Sequence, residues 1–361
     1  MRLLFVATIA LALAACHSTP VLPADPTVRE WIAASAVPLD GTLGGDLTAL
    51  APLFANARIV ALGEATHGQS ESFAAKRRFT MHLVREHGFR VVAYEASATQ
   101  ARACDDYIAG RSDDRVAAIR GLSMLIWAIE ENGALLDELR AWNRDAKPAD
   151  RVVFLGCDAQ EGEAPLARLR ELLPASATEL QARGAALLPR TTAATQKMFG
   201  GDRADFDALQ PEVRTWLDEV EAVATTLPAA TGAEVRLRAA EFGSHLSMFG
   251  SPGGRDRAMA DLLLRQLADR GPDARCVLWA HNGHVQRSAL RYLGSDELAQ
   301  GGHLAAALGD RYVAFGFAFG DGGFQANAKG PDGRWGFRRY SLPPPPAGTL
   351  EAELLAAHAG D

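Results

Sequence analysis

Four short apolar runs end on clusters of polar residues, and this arrangement restricts the fold more than any other feature of the chain. The runs are residues 59–62, 91–94, 152–155 and 276–279. They are rich in β-branched residues and continuous rather than alternating, the pattern of strands covered on both faces. A fifth run covers 312–319. Helical stretches separate the runs, so the sequence predicts an α/β fold with a largely parallel central sheet flanked by helices. Between about 165 and 250 the Leu-, Ala- and Glu-rich segments carry no strand signal and predict a helical insertion within a domain spanning 31–345. Residues 346–361 read as a C-terminal tail whose helix covers 349–357.

The first run leads into Gly63-Glu64-Ala65-Thr66-His67-Gly68 and the second into Glu95. The third leads into Gly156-Cys157-Asp158 and the fourth into Ala280-His281-Asn282-Gly283-His284. Ligands of open parallel sheets bind outside the carboxyl ends of the strands. Asp158 alone could start a helix, and His67 alone could satisfy a buried carbonyl. Four such endings on one sheet predict instead a site at that edge.

The segment after the first motif places Phe73, Thr80, Met81, Leu83 and Val84 on one helical arc, with Lys76 and Arg77 inside it. A cation on a packed face needs a carboxylate partner, or it extends its head to water. Arg255 opens a line continued by Met259, Leu263 and Leu267 at four-residue spacing.

Spacing excludes several chemistries. Glu64 and His67 do not form H-E-x-x-H. His281 and His284 flank Asn-Gly and read as a turn rather than a helical metal pair. No G-x-S-x-G nucleophile elbow occurs, and no C-x-x-C pair. Hydrophobic residues make up 48% of the chain, enough for a substantial core. With 37 Lys and Arg against 44 Asp and Glu, the net charge of −7 argues against a nucleic-acid partner. The apolar stretch 3–13 follows Met1-Arg2 and is too short to span a bilayer. It ends in Leu13-Ala14-Ala15-Cys16, which resembles the lipobox of bacterial lipoproteins. That resemblance implies a signal peptide over 1–15, an acyl chain on Cys16 and a tether over 16–30. The chain would then lie on the periplasmic side of the envelope, at the outer membrane, touching lipid only through Cys16. Three further cysteines remain, of which Cys157 and Cys276 end apolar runs and act as small hydrophobes.

Taken in order and spacing, Gly63 to Gly68, the run ending at Glu95, Gly156-Cys157-Asp158, Arg255-Asp256 with Met259, and Ala280 to Val285 resemble the erythromycin esterase family from about 59 to 324. The resemblance implies an α/β hydrolase unrelated to serine hydrolases, which opens a macrolide lactone by water attack, generally without a metal or cofactor. The family's functional glutamates fall at Glu64 and Glu95 and its histidines at His67, His281 and His284. Its arginine falls at Lys76, or at Arg77 with a one-residue shift. The chemistry expected is hydrolysis of a small-molecule ester or lactone, with His67 as base oriented by Glu64 and Glu95. His281 and His284 would bind the carbonyl oxygen or protonate the leaving alkoxide. Lys76, Arg77, Arg255 and Asp158 would bind substrate or stabilise charge. A metal-dependent hydrolase using the same cluster and a non-catalytic envelope ligand-binding protein remain open alternatives.

Overall fold

The computed structural model describes residues 26–36, 47–123, 125–291, 294–318, 320–330 and 333–358. The expected signal peptide, Cys16 and the tether as far as residue 25 lie outside the described residues. From Pro26 onward the stretch expected as tether is a helix, Pro26–Ser35. Proline suits a helix start, where its missing N–H is not needed. The helix packs on the C-terminal helix Leu350–His358, with Arg29 Nε donating to Glu353 Oε2 at 2.9 Å.

Five parallel strands form the central sheet: β1 Ile59–Leu62, β2 Val91–Ser97, β3 Val153–Asp158, β4 Cys276–Trp279 and β5 Tyr312–Phe315, in the order β3-β2-β4-β1-β5. Alternate residues feed two separate cores. Val60, Leu62, Val92, Tyr94, Val277 and Trp279 pack with Phe73, Leu83 and Val84 of the helix Ser70–His87 and with Leu135, Leu136 and Leu139 of the helix Glu130–Asp145. Ile59, Ala61, Val91, Ala93, Cys276 and Leu278 pack on Met259, Leu263 and Leu267 of the helix Gly254–Ala268 and on Leu304 of the helix Gln300–Leu308. Covering both faces explains why the runs carry no alternation. The three cysteines outside the N-terminal segment are buried and unpaired.

Four strand boundaries differ from the sequence reading, one of them the end of β3, which runs past Leu155 to Asp158. β5 stops at Phe315 because the Asn282 side chain takes the Phe317 backbone, donating to its carbonyl at 2.8 Å and accepting from its N–H at 3.2 Å. Val152 is held outside β3 by Asn143, whose side chain bonds both its N–H and its carbonyl. β2 extends past Tyr94 to Ser97 with an irregularity in its pairing to β3.

The insertion consists of the helices Glu163–Leu172, Thr178–Phe199, Ala204–Thr225 and Ala229–Ser247. It carries its own core around Leu166, Leu187, Trp216 and Phe242. A buried Arg238–Glu241 pair fastens it to the end of β2, where Glu241 accepts from Ser97 Oγ at 2.7 Å and Thr99 Oγ1 at 2.6 Å. After β5 the chain forms an antiparallel hairpin, β6 Gly322–Lys329 and β7 Trp335–Leu342.

Candidate active site

The sheet register aligns the strand ends. Leu62 pairs with Trp279, Trp279 with Tyr94, and Tyr94 with Gly156. The residues that follow each of these therefore emerge at one level, and the structure brings Glu64, His67, Glu95, Asp158, His281 and His284 to a single edge together with Arg255.

Glu64 is fully buried. Its Oε1 lies 2.9 Å from His67 Nδ1, and its Oε2 accepts from Lys76 Nζ. Gly63 is required here, because a Cβ would collide with the Asn282 side chain. The His67 ring packs edge-on against Trp127 at 5.1 Å and lies 5.2 Å from the His281 ring. Its side chain is 28% exposed. Among the described residues, no protein group bonds His67 Nε2.

The other two imidazoles are committed. His281 Nδ1 accepts from the Gly283 N–H at 3.0 Å, and its Nε2 faces the Ala65 carbonyl at 3.2 Å. That pair of contacts fixes a neutral ring with the proton on Nε2. Burial and the neighbouring His67 both keep the His281 pKa below the ordinary imidazole value. His284 Nδ1 lies 2.8 Å from Asp256 Oδ1, which also accepts from the Gln300 N–H at 2.8 Å. Its Nε2 lies 3.0 Å from Arg255 Nη1. A guanidinium only donates, so Nε2 accepts and the proton sits on Nδ1. Burial opposes charging of this ring, but Glu95 and Asp256 outweigh it and lift its pKa.

Arg255 is the hub of the charged network. Its Nη2 donates to Glu95 Oε1 at 2.6 Å and to Asp158 Oδ2 at 2.8 Å, and its Nε to Asp158 Oδ1 at 3.2 Å. Glu95 Oε2 accepts from the His281 backbone N–H at 3.0 Å. Burial raises the Glu95 carboxyl, but His284 and Arg255 more than offset this and hold it well below the usual carboxylate range.

Arg77 lies away from the site, whereas Lys76 lies beneath it, paired with the strand-end carboxylate of Glu64 as its place on the packed face predicts. Arg77 pairs with Glu138 at 2.6 Å on the outer side of its helix, because Glu138 on the neighbouring helix presents a half-exposed partner. Lys76 is fully buried beneath Glu64, with its ammonium 4.5 Å from the Trp279 ring centroid and 5.6 to 5.7 Å from those of Phe73 and Trp127. It therefore touches Glu64 and aromatic rings rather than open space. The His281 to His284 segment also differs from the expected turn. Asn282–Val285 is one turn of helix capped by the His281 side chain.

Sequence reasoning gave no role to Asp256 or Trp127. Asp256 adjoins Arg255 in one of the motifs that carry the family resemblance, which is the signal the sequence offered, and the structure buries it to 4% exposure. Trp127, whose Nε1 donates to the Glu95 carbonyl at 3.1 Å, carried none. A separate cavity of about 380 Å³ is lined by Phe154, Arg238, Gln266 and Arg270 among others, and by none of the residues at this edge. Among the described residues, no group of three or more His, Cys, Asp or Glu side chains is arranged to hold a metal ion.

The erythromycin esterase family model matches residues 84–361. The chain is 24% identical to erythromycin esterase type II of Escherichia coli over 342 residues, covering 86% of this chain and 80% of that protein. Its fold is similar to that of a Bacillus cereus protein of known structure, with a TM-score of 0.68, 24% identity, and coverage of 91% and 82% of the two chains. It is likewise similar to a mutant of the erythromycin esterase EreC in its open conformation, with a TM-score of 0.65, 20% identity, and coverage of 82% and 78%. By the strand-end motifs and the match of the family model over most of its length, the chain belongs to the erythromycin esterase family.

Proposed function

We propose that the chain hydrolyses a carboxylic ester or lactone of a small molecule by water attack, with His67 as the general base. One observation carries this reading. Of the three imidazoles at the strand-end edge, His67 alone keeps a ring nitrogen, Nε2, that no group among the described residues bonds, while its Nδ1 lies in hydrogen-bond contact with Glu64. An imidazole so oriented can accept a proton at Nε2 near neutral pH.

Water then transfers a proton to Nε2 as its oxygen attacks the carbonyl carbon. The tetrahedral intermediate collapses with cleavage of the bond to the alkoxide, which recovers the proton from the imidazolium. Glu64 stabilises that imidazolium. Of the five N–H groups of Arg255, those bonded to Asp158, Glu95 and His284 leave one on Nη1 to offer the developing oxyanion, whereas Lys76 lies buried beneath Glu64 and Arg77 pairs with Glu138. Glu95 and Asp158 hold Arg255, and Glu95 also holds the His281 backbone. With both ring nitrogens engaged, His281 and His284 shape the edge rather than deliver protons.

Membership of the family supports a hydrolase of this type. The test is turnover of a panel of activated esters and macrolide lactones before and after exhaustive chelation. Turnover that survives chelation and disappears in His67→Ala is expected. Loss on chelation with recovery on zinc or manganese would recast the same residues as metal ligands. A folded protein that turns over nothing in the panel would be a ligand-binding protein on this scaffold. The proposed location is the periplasmic side of a bacterial envelope, supported by the Leu-Ala-Ala-Cys16 sequence. Mass spectrometry of the mature N-terminus tests it, with an acylated Cys16 expected and an intact Met1 contradicting it.

A further inference from the structure

The cavity of about 380 Å³ lies apart from the strand-end edge, between the insertion and β3, the outermost strand of the sheet. Its lining comes from Phe154 and Leu155 of β3, Leu237 and Arg238 of the helix Ala229–Ser247, Gln266 of the helix Gly254–Ala268, and the segment that runs from Ala98 into the helix Arg102–Ile108. Ala98, Phe154 and Leu155 are buried and form an apolar floor. The volume falls within the roughly 300–1,000 Å³ of small-molecule pockets.

One polar side chain of this lining lacks the partners that its burial demands. Arg238 is 3% exposed. Of its five N–H groups, bonds are made on Nη1 alone, to Thr99 Oγ1 at 2.6 Å and Glu241 Oε2 at 3.0 Å. Its Nε is buried with no hydrogen-bond partner, and no described residue bonds Nη2. Buried donors are nearly always satisfied. Nε and Nη2 form an edge on which a guanidinium takes a carboxylate through two parallel bonds. Glu241 cannot also serve that edge, because each of its oxygens already accepts two bonds, from Ser97 Oγ and the Thr99 N–H on one and from Thr99 Oγ1 and Arg238 on the other.

Four arginines and four acids line the cavity, so selection for an anion is local. Asp105, Asp106 and Glu234 are each bonded to arginine. Asp269, the remaining acid, is exposed on the rim. The charges acting on Arg238 are Glu241 and Glu234 against Arg102 and Arg168, so the cluster with Arg238 included carries +1. Burial lowers the Arg238 pKa more than the two glutamates raise it, which marks a cation whose lost hydration is not made good. On the rim, the Arg270 guanidinium bonds only the Gln266 carbonyl among the described residues, at 2.9 Å.

We propose that this cavity is a second binding site for a small organic carboxylate, which lays its charge on the Nε–Nη2 edge of Arg238 and an apolar chain over Ala98, Phe154, Leu155 and Leu237. The ligand braces the insertion against the sheet, since Arg238 is joined through Glu241 to Ser97 at the end of β2.

The test is isothermal titration calorimetry of the full chain with octanoate and with octanamide, which keeps the chain and loses the charge. Octanoate should bind saturably and raise Tm, and octanamide should bind about tenfold more weakly or worse. Two variants locate the site. Ala233→Trp sets an indole at the exposed mouth and leaves Arg238 intact. Arg238→Gln/Glu241→Gln removes both charges of the pair together, which spares the fold the uncompensated charge that either single change leaves. Each variant, checked for cooperative unfolding, should weaken octanoate about tenfold or more, and Ala233→Trp decides alone if the double variant does not fold. Absence of saturable octanoate binding, or equal binding of octanamide, would overturn the proposal. So would undiminished octanoate binding in a folded variant, which would place the carboxylate elsewhere, as at Arg255.

Discussion

Lys76→Met removes an ammonium while keeping most of the stem that packs among Phe73, Trp127 and Trp279. Lys76 and Glu64 are both fully buried. Burial pulls the Lys76 pKa down more than Glu64 lifts it, so the ammonium is held by its partner against a strong desolvation cost. Removing one member of a buried pair costs about 3–5 kcal/mol, because the remaining charge stays buried and uncompensated. Here that charge is Glu64, whose other oxygen holds His67 Nδ1. Relief comes from a proton on Glu64 or on His67, and an imidazolium cannot act as a base. The acid limb of kcat/KM for an activated ester should therefore move to higher pH in Lys76→Met. Replacing both members by neutral groups of similar shape is far less costly, so Glu64→Gln/Lys76→Met should be more stable than Lys76→Met alone. Cation–π contacts are lost in both proteins and cancel in that comparison. Urea unfolding of the wild type, both single variants and the double variant measures the coupling. Additive losses, or a Lys76→Met cost below about 1 kcal/mol, would refute the reasoning.

Arg255→Met strips the cation from Glu95 and Asp158, each about 3% exposed, with an expected loss of about 3–5 kcal/mol near neutral pH. Because the folded-state Glu95 pKa is depressed, its stabilisation is present above the ordinary carboxylate range and is lost as pH falls toward the folded value. The stability gap between wild type and variant should therefore narrow in acid, and a gap independent of pH between 3 and 7, a range chosen to bracket roughly the usual carboxylate pKa, contradicts this. Gly68→Ala drives a Cβ into the Gln325 carbonyl. Hydrogen exchange should show faster exchange at Gln325, with a stability loss above about 1 kcal/mol. Asp256→Ala leaves His284 Nδ1 and the Gln300 N–H without their acceptor, for about 1–3 kcal/mol. An NMR titration should show the His284 pKa falling, since Asp256 helps to lift it.

The sheet and its active edge were legible because they rest on local signals. Runs such as Ile59–Leu62 must be strands covered on both faces, and parallel strands present their ends together. The Lys76 arc identified a buried cation, and the depth of the helix against Trp279 decided that it lies under Glu64 rather than before substrate. Arg77 read equally well as buried, since one helical step separates the packed face from Glu138. The tautomers of His281 and His284 were not legible, because their partners, Ala65, Gly283, Asp256 and Arg255, come from three separate segments. The end of β5 depended on Asn282, 35 residues before Phe317 in the chain, which no local periodicity reports.

The central claim is that His67, alone among the three imidazoles, moves protons. Its most direct test is kcat/KM for an activated ester across pH in His67→Ala and His281→Gln, both checked for unchanged Tm. The account predicts a fall of roughly 10²- to 10⁴-fold in His67→Ala with loss of the acid limb, and a His281→Gln profile that retains that limb. Turnover by His67→Ala within a few-fold of wild type, with the acid limb intact, would contradict it.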